Sequence, residues 1–120
     1  MRVGFLMLVS LLALYSVSAA SNPTVPEKAR VRVNPLVDDR DAIAAGRKLF
    51  EQHCAECHGG AGRGGKRGPE LAPAIVRELS TGELFWLISN GVIRKGMPSW
   101  SKLPEPERWQ IVTYLGSLNQ

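Results

Sequence analysis

Cys54-Ala55-Glu56-Cys57-His58 constrains this chain more than any other stretch of its 120 residues, and it contains both of the cysteines. Thiols at i and i+3 lie on one side of a helical turn. Each can add across a vinyl group of a haem as a thioether, and the imidazole that follows Cys57 directly is then carried under the iron. The pattern marks c-type haem attachment, with His58 as the proximal ligand. Other uses of the same residues fit poorly. A thioredoxin-like dithiol expects a βαβ setting, which is missing here. A structural zinc needs four ligands, normally as two separated pairs, whereas His53, Cys54, Cys57 and His58 are confined to six residues. A disulfide across i and i+3 closes too small a loop to stabilise much.

The beginning of the chain agrees with such chemistry, which takes place outside the cytoplasm. Arg2 supplies a positive start, Val3 to Val17 is an apolar run broken by Gly4 and Ser10, and Ser18-Ala19-Ala20 offers small side chains for cleavage. An apolar run of about 15 residues is short for a bilayer span of roughly 20. Residues 1–20 are therefore expected to be a signal peptide cleaved near Ala20, and the protein periplasmic. The alternative is an uncleaved anchor, the one route by which the membrane becomes a partner. Without Arg2 the rest holds 14 basic and 11 acidic groups. About 100 residues bury little core by themselves, and a large apolar cofactor would supply much of what is missing.

Residues 21–40 hold Pro23, Pro26 and Pro35 with no aromatic residue, and read as an extended arm. Val31-Arg32-Val33 suggests a short extended piece laid on the domain. Three helices follow. The first runs from Asp41 to about His53, with Asp39 or Asp41 as its cap. Gly46 sits inside it at a cost of roughly 1 kcal/mol relative to alanine, which points to another backbone passing close by. The second opens on a capping box, Ser80-Thr81-Gly82-Glu83, and stops at Asn90-Gly91. The third begins near Pro104, with Glu105 and Glu107 at the positive end of its dipole. No strand ladder is evident, so the fold class is all-α with long loops.

The sixth iron position can be assigned by elimination. Met1 and Met7 leave with the signal peptide, so Met97 is the sole methionine of the mature chain. His53 precedes Cys54 on the same helical end as His58 and cannot readily reach the opposite face. Met97 lies 39 residues beyond His58 in a Gly96-Met97-Pro98 turn between two predicted helices. His/Met ligation raises the reduction potential and keeps the iron six-coordinate. That suits electron transfer and disfavours catalysis.

With these residues in place, the stretch from about 41 to 118 resembles a class I bacterial cytochrome c. Gly46 and Phe50 match the glycine and aromatic of that family's N-terminal helix, and Tyr114 with Ile111 and Leu115 is similar to the partner surface on its C-terminal helix. The resemblance implies a small cytochrome c fold in which these two helices cross and loops wrap one haem c bound through Cys54 and Cys57. It divides the chain into a signal peptide (1–20), an arm (21–40) and a cytochrome c domain (41–120). Gly68-Pro69-Glu70-Leu71 is similar to the family segment whose proline carbonyl receives the proximal imidazole N–H, which implies that role for Pro69. Gly96-Met97-Pro98 matches the distal ligand turn. The arm, with Asn34-Pro35-Leu36, looks like that of cytochromes reduced by periplasmic quinoprotein dehydrogenases.

The expected function is a diffusible single-electron carrier, not an enzyme, passing electrons from such a donor to a terminal acceptor such as an oxidase. A haem enzyme or gas sensor with an open sixth site is a second reading, and a fixed cytochrome subunit of a membrane respiratory complex a third. Arg63, Lys66 and Arg67, with Arg94 and Lys95, either form a positive collar that steers an acidic redox partner or are ordinary solvated charges. They are too few to argue for nucleic acid. Trp86, Trp100 and Trp109 are expected to pack against haem or helices. Trp100, just past the Met97 turn, is the candidate to donate its indole N–H to a haem propionate.

Overall fold

A computed structural model describes residues 24–71 and 73–118 of the chain. The expected signal peptide and its cleavage point lie outside these residues. Among the described residues there are six α-helices: α1 (Glu27–Arg30), α2 (Arg40–His53), α3 (Ala55–His58), α4 (Pro73–Glu78), α5 (Thr81–Asn90) and α6 (Glu105–Ser117). Two 3₁₀ turns, Gly60–Gly62 and Ile93–Lys95, punctuate the loops. Among the described residues there is no strand beyond an isolated bridge between Val92 and Met97. No helix among them is long and apolar enough to cross a membrane. The all-α expectation holds.

The crossing of α2 and α6 organises the core, and it is the most extensive helix pair. Asp39 begins α2 by accepting the Ala42 amide at 3.0 Å, which resolves the choice of cap left open by the sequence. A Cβ built on Gly46 would collide with the Gln110 carbonyl and come within 3.0 Å of the Tyr114 Cβ. Only a residue without a side chain lets α6 come this close. One turn later Phe50, 1% exposed, sets its ring 5.4 Å from that of Tyr114 at 56°. Burying a ring of this kind contributes about 2–3 kcal/mol, so this turn anchors the crossing.

Helix α5 carries the expected capping box: Ser80 Oγ accepts from Glu83 N at 3.1 Å and Glu83 Oε2 accepts from Ser80 N at 2.7 Å. It ends at Gly91, whose φ of 72° suits glycine. It packs on α6 through Phe85 and Trp109, stacked with centroids 4.1 Å apart.

The expectation of an extended arm needs correction. Residues 27–30 close one helical turn, and the chain beyond them is tied down at several points. Asn34, 5% exposed, donates from Nδ2 to Thr113 Oγ1 at 2.9 Å, and its amide N–H reaches Thr81 Oγ1 at 3.2 Å. In the Val31-Arg32-Val33 stretch both valines face solvent, and the partly exposed Arg32 lays its guanidinium over aromatic rings of the core. The Arg32 guanidinium lies 4.5 Å from the Phe85 ring centroid and 5.2 Å from that of Trp109, and pairs with Glu105 at 2.5 Å. An arginine can pack its flat cation on aromatic faces and keep an ionic partner at the rim. A valine could fill the space but could not bind Glu105.

Candidate haem-attachment site

The end of α2 and the single turn of α3 form the centre of the site. Cys54 caps α2, with its amide bonded to the Phe50 carbonyl at 2.8 Å. The Cys54 carbonyl then accepts from Cys57 N at 3.2 Å and His58 N at 2.9 Å. One helical turn therefore carries both thiols and the imidazole. The thiols are unpaired and half-buried. Burial, with a contribution from the neighbouring Cys57, pushes the Cys54 thiol up to about 11, so it stays protonated at neutral pH.

The glycine-rich loop after His58 folds back on this turn. Gly64 N donates to the His58 carbonyl at 2.6 Å, Gly68 N to the Cys57 carbonyl at 2.9 Å, and Leu71 N to the Gly62 carbonyl at 2.7 Å. A Cβ on Gly68 would lie 2.9 Å from the Cys57 oxygen and 3.0 Å from His58 Nδ1. The return of the loop leaves the Pro69 carbonyl 2.8 Å from His58 Nδ1. A carbonyl can only accept, so Nδ1 carries the proton and Nε2 is the nitrogen left with a lone pair for a metal. Two thiols and one pre-oriented Nε2 on a single turn are a donor set that fits a covalently held haem.

Met97 is positioned by a separate device. Val92 and Met97 exchange backbone hydrogen bonds at 3.0 and 3.2 Å, closing a loop around the Ile93–Lys95 turn, and Gly96 takes the left-handed conformation with φ 87°. The chain then returns along the end of α5: Ser99 Oγ donates to the Ser89 carbonyl at 2.6 Å and Trp100 N to the Ile88 carbonyl at 3.0 Å. Met97 is half-buried between these ties. The Trp100 ring packs against the core and lies 4.9 Å from the ring of His53. Its indole N–H has no protein acceptor among the described residues.

Of the residues expected from the sequence, the structure brings Cys54, Cys57, His58 and the Pro69 carbonyl together, and places Met97 and Trp100 on one loop tied to the end of α5. The pairing of His53 with Trp100 and the return of the glycine-rich loop onto the attachment turn were missed in the sequence. Closely spaced glycines next to a helical motif were the available signal that a loop doubles back on that motif.

Against this geometry stands a match of residues 41–115 to the family model described as cytochrome c oxidase, cbb3-type, subunit III. The chain belongs to this cytochrome c family. Two solved structures of c-type cytochromes are similar to it. Cytochrome CL from the marine methylotrophic bacterium Methylophaga aminisulfidivorans is 30% identical, with a TM-score of 0.60 over 71% of this chain and 60% of that one. The c-type cytochrome KustC0563 is 25% identical, with a TM-score of 0.55 over 62% of this chain and 98% of that one. The cbb3-type oxidase subunit CcoP of Azospirillum brasilense is 29% identical over 66% of this chain. This cytochrome spans only 32% of that subunit's length. The helical fold around α2 and α6 is thus that of a class I c-type cytochrome, as the resemblance implied.

Proposed function

We propose that this cytochrome is a periplasmic single-electron carrier, with one haem c attached through Cys54 and Cys57 and ligated by His58 and Met97. The observation that carries the reading is the hydrogen bond between His58 Nδ1 and the Pro69 carbonyl at 2.8 Å. It orients the imidazole within a turn that also holds both thiols. When bound, the haem supplies a one-electron couple. The protein's own task is to hold two neutral ligands in fixed places, so that little rearranges when the iron changes charge. Pro69 would keep Nε2 aimed and raise its basicity. The backbone ties on both sides of Met97 would keep its thioether at the sixth position and exclude water and small ligands. Trp100, with an uncommitted indole N–H, is the proposed donor to a propionate.

The partner reading rests on charge. Segments 57–69 and 84–104, which contain both proposed ligands, carry Arg63, Lys66, Arg67, Arg94, Lys95 and Lys102 and no Asp or Glu. All six cations are exposed. Arg67 lies 3.8 Å from Glu56, and the other five leave these two segments with a positive excess suited to steering an acidic redox protein. A periplasmic quinoprotein dehydrogenase is the proposed donor and an oxidase the proposed acceptor. The docked arm with its buried Asn34 and the similarity to a methylotroph cytochrome CL support the donor.

The family match and the similarity to CcoP favour a second reading, a cytochrome unit fixed in a membrane oxidase complex. Fractionation separates the two, because a carrier leaves with the soluble periplasm and a subunit stays with the membrane. The ligand assignment is tested by Met97→Ala. The expected result is loss of the methionine–iron charge-transfer band, a lower potential, and carbon monoxide binding by the reduced variant alone. Rapid carbon monoxide binding by the unaltered protein would refute a closed site.

A further inference from the structure

His53 has no place in the attachment chemistry, yet its ring is the one packed on Trp100. The two aromatic rings belong to segments 47 positions apart, with centroids 4.9 Å apart and planes tilted by 48°. His53 is the last residue of α2 and the neighbour of Cys54. Trp100 follows Met97 by three residues, a separation that extended chain spans in about 10 Å. The contact therefore joins the attachment end of α2 to the segment carrying the proposed distal ligand.

The other ties of the Met97 loop lead elsewhere. The paired bonds of Val92 and Met97 are internal to the loop, and Ser99 Oγ and Trp100 N both bond to carbonyls at the end of α5. These ties fix the loop to α5 but say nothing of its distance from α2. The indole is the part of this segment that reaches the His53 ring. It is held from behind by its own amide bonded to Ile88 and by its carbonyl, which accepts from Leu103 N at 3.0 Å.

We propose that His53 is a positioning residue for the distal ligand: its ring, packed on Trp100, sets the spacing between the attachment turn and the Met97 loop. This rests on the reading of Met97 as the sixth ligand. Loss of the contact lets the loop swing out more often, and a competing ligand then gains the iron more easily. The role requires a flat ring and not a titrating one. Aromatic pairs of this kind shift such a two-state balance by roughly two- to tenfold.

The test is a titration of the oxidised, haem-loaded protein with imidazole, which competes for the sixth position. His53→Ala is expected to bind imidazole roughly two- to tenfold more tightly than wild type, while His53→Phe restores wild-type affinity. Trp100→Leu, which also removes the proposed propionate donor, is expected to give at least that shift, and the double variant no more than Trp100→Leu alone, because both changes remove the same ring contact. Wild-type affinity in His53→Ala, no rescue by phenylalanine, or additive shifts in the double variant would each overturn the proposal. Met97→Ala separates the two levels of the argument. If it tightens imidazole binding while His53→Ala does not, the positioning role alone fails. If Met97→Ala changes neither affinity nor spectrum, the ligand reading fails and the positioning role goes with it.

Discussion

The Pro69 carbonyl lies 2.8 Å from His58 Nδ1, so the direction of the ring is set by a loop residue 11 positions further on. Gly68 makes that approach possible, since its missing side chain would otherwise sit 3.0 Å from Nδ1 and 2.9 Å from the Cys57 oxygen. In Gly68→Ala the loop has to move outward and lengthen the Pro69 bond. A weaker bond leaves the imidazole less basic and the oxidised iron less stabilised. The reduction potential is then expected to rise, by roughly 20–40 mV for a loss of about 0.5–1 kcal/mol. A spectroelectrochemical titration measures it, and an unchanged or lower potential would contradict the role given to Pro69.

Gly46→Ala is a test of the helix crossing. In an isolated helix this change stabilises by roughly 1 kcal/mol. Here the new methyl group meets the Gln110 carbonyl and the Tyr114 Cβ. Backbone cannot swing aside as a side chain can, so α2 and α6 must separate and the packing of Phe50 on Tyr114 loosens. Overpacking of this sort costs about 1–3 kcal/mol, and the expected net result is destabilisation. Denaturant unfolding should show a lower midpoint with little change in slope. A variant as stable as wild type would mean that the crossing is slack.

Asn34 holds the arm in place. Its side chain donates to Thr113 Oγ1 at 2.9 Å and accepts from Leu36 N at 2.9 Å. Asn34→Ala takes the acceptor from the part-buried Leu36 N–H and leaves Thr113 Oγ1 its bond to the Trp109 carbonyl, a loss of about 1 kcal/mol or somewhat more. The loss should appear first as local release of the arm. Limited proteolysis is expected to cut residues 27–39 of the variant under conditions that leave α2 to α6 intact. Cleavage as slow as in wild type would show that the remaining ties, Arg30 to Ser80 and Glu83 and Arg32 to Glu105, secure the arm.

What the sequence revealed was local in kind. The attachment turn, the capping box at Ser80 and Glu83 and the stop at Gly91 each depend on residues within one or two turns, and each could be read directly. Gly46 disclosed that a backbone passes near it, although the identity of Gln110 as its neighbour came only from the structure. What escaped was contact between distant segments or a reversal of the usual polarity. The alternation at Val31 and Val33 invites apolar-in packing, yet both valines are exposed and it is the partly exposed Arg32 that covers Phe85 and Trp109 and pairs with Glu105. His53 was considered only as a ligand, since nothing near it in sequence hints at Trp100. The short helix α4 left no sequence signal beyond Pro73.

Glu105 ties the arm to α6 in a way that depends on pH. The Arg32 guanidinium, and after it the Trp109 indole N–H at 3.3 Å, hold its carboxyl below the usual carboxylate range. A carboxylate whose pKa is lower in the folded state binds protons more weakly there than in the unfolded chain. Its stabilising contribution is therefore complete above the ordinary value of about 4.3 and is lost as the pH falls through the lowered one. Wild type should melt at a higher temperature than Glu105→Gln at neutral pH, and the gap should close in acid. Because both partners are partly exposed, added salt should also narrow the gap at neutral pH. A gap that widened as the pH fell would mean that Glu105 acts through packing, with the variant's amide too poor a fit beside Trp109, and that its pairing with Arg32 contributes little to holding the arm.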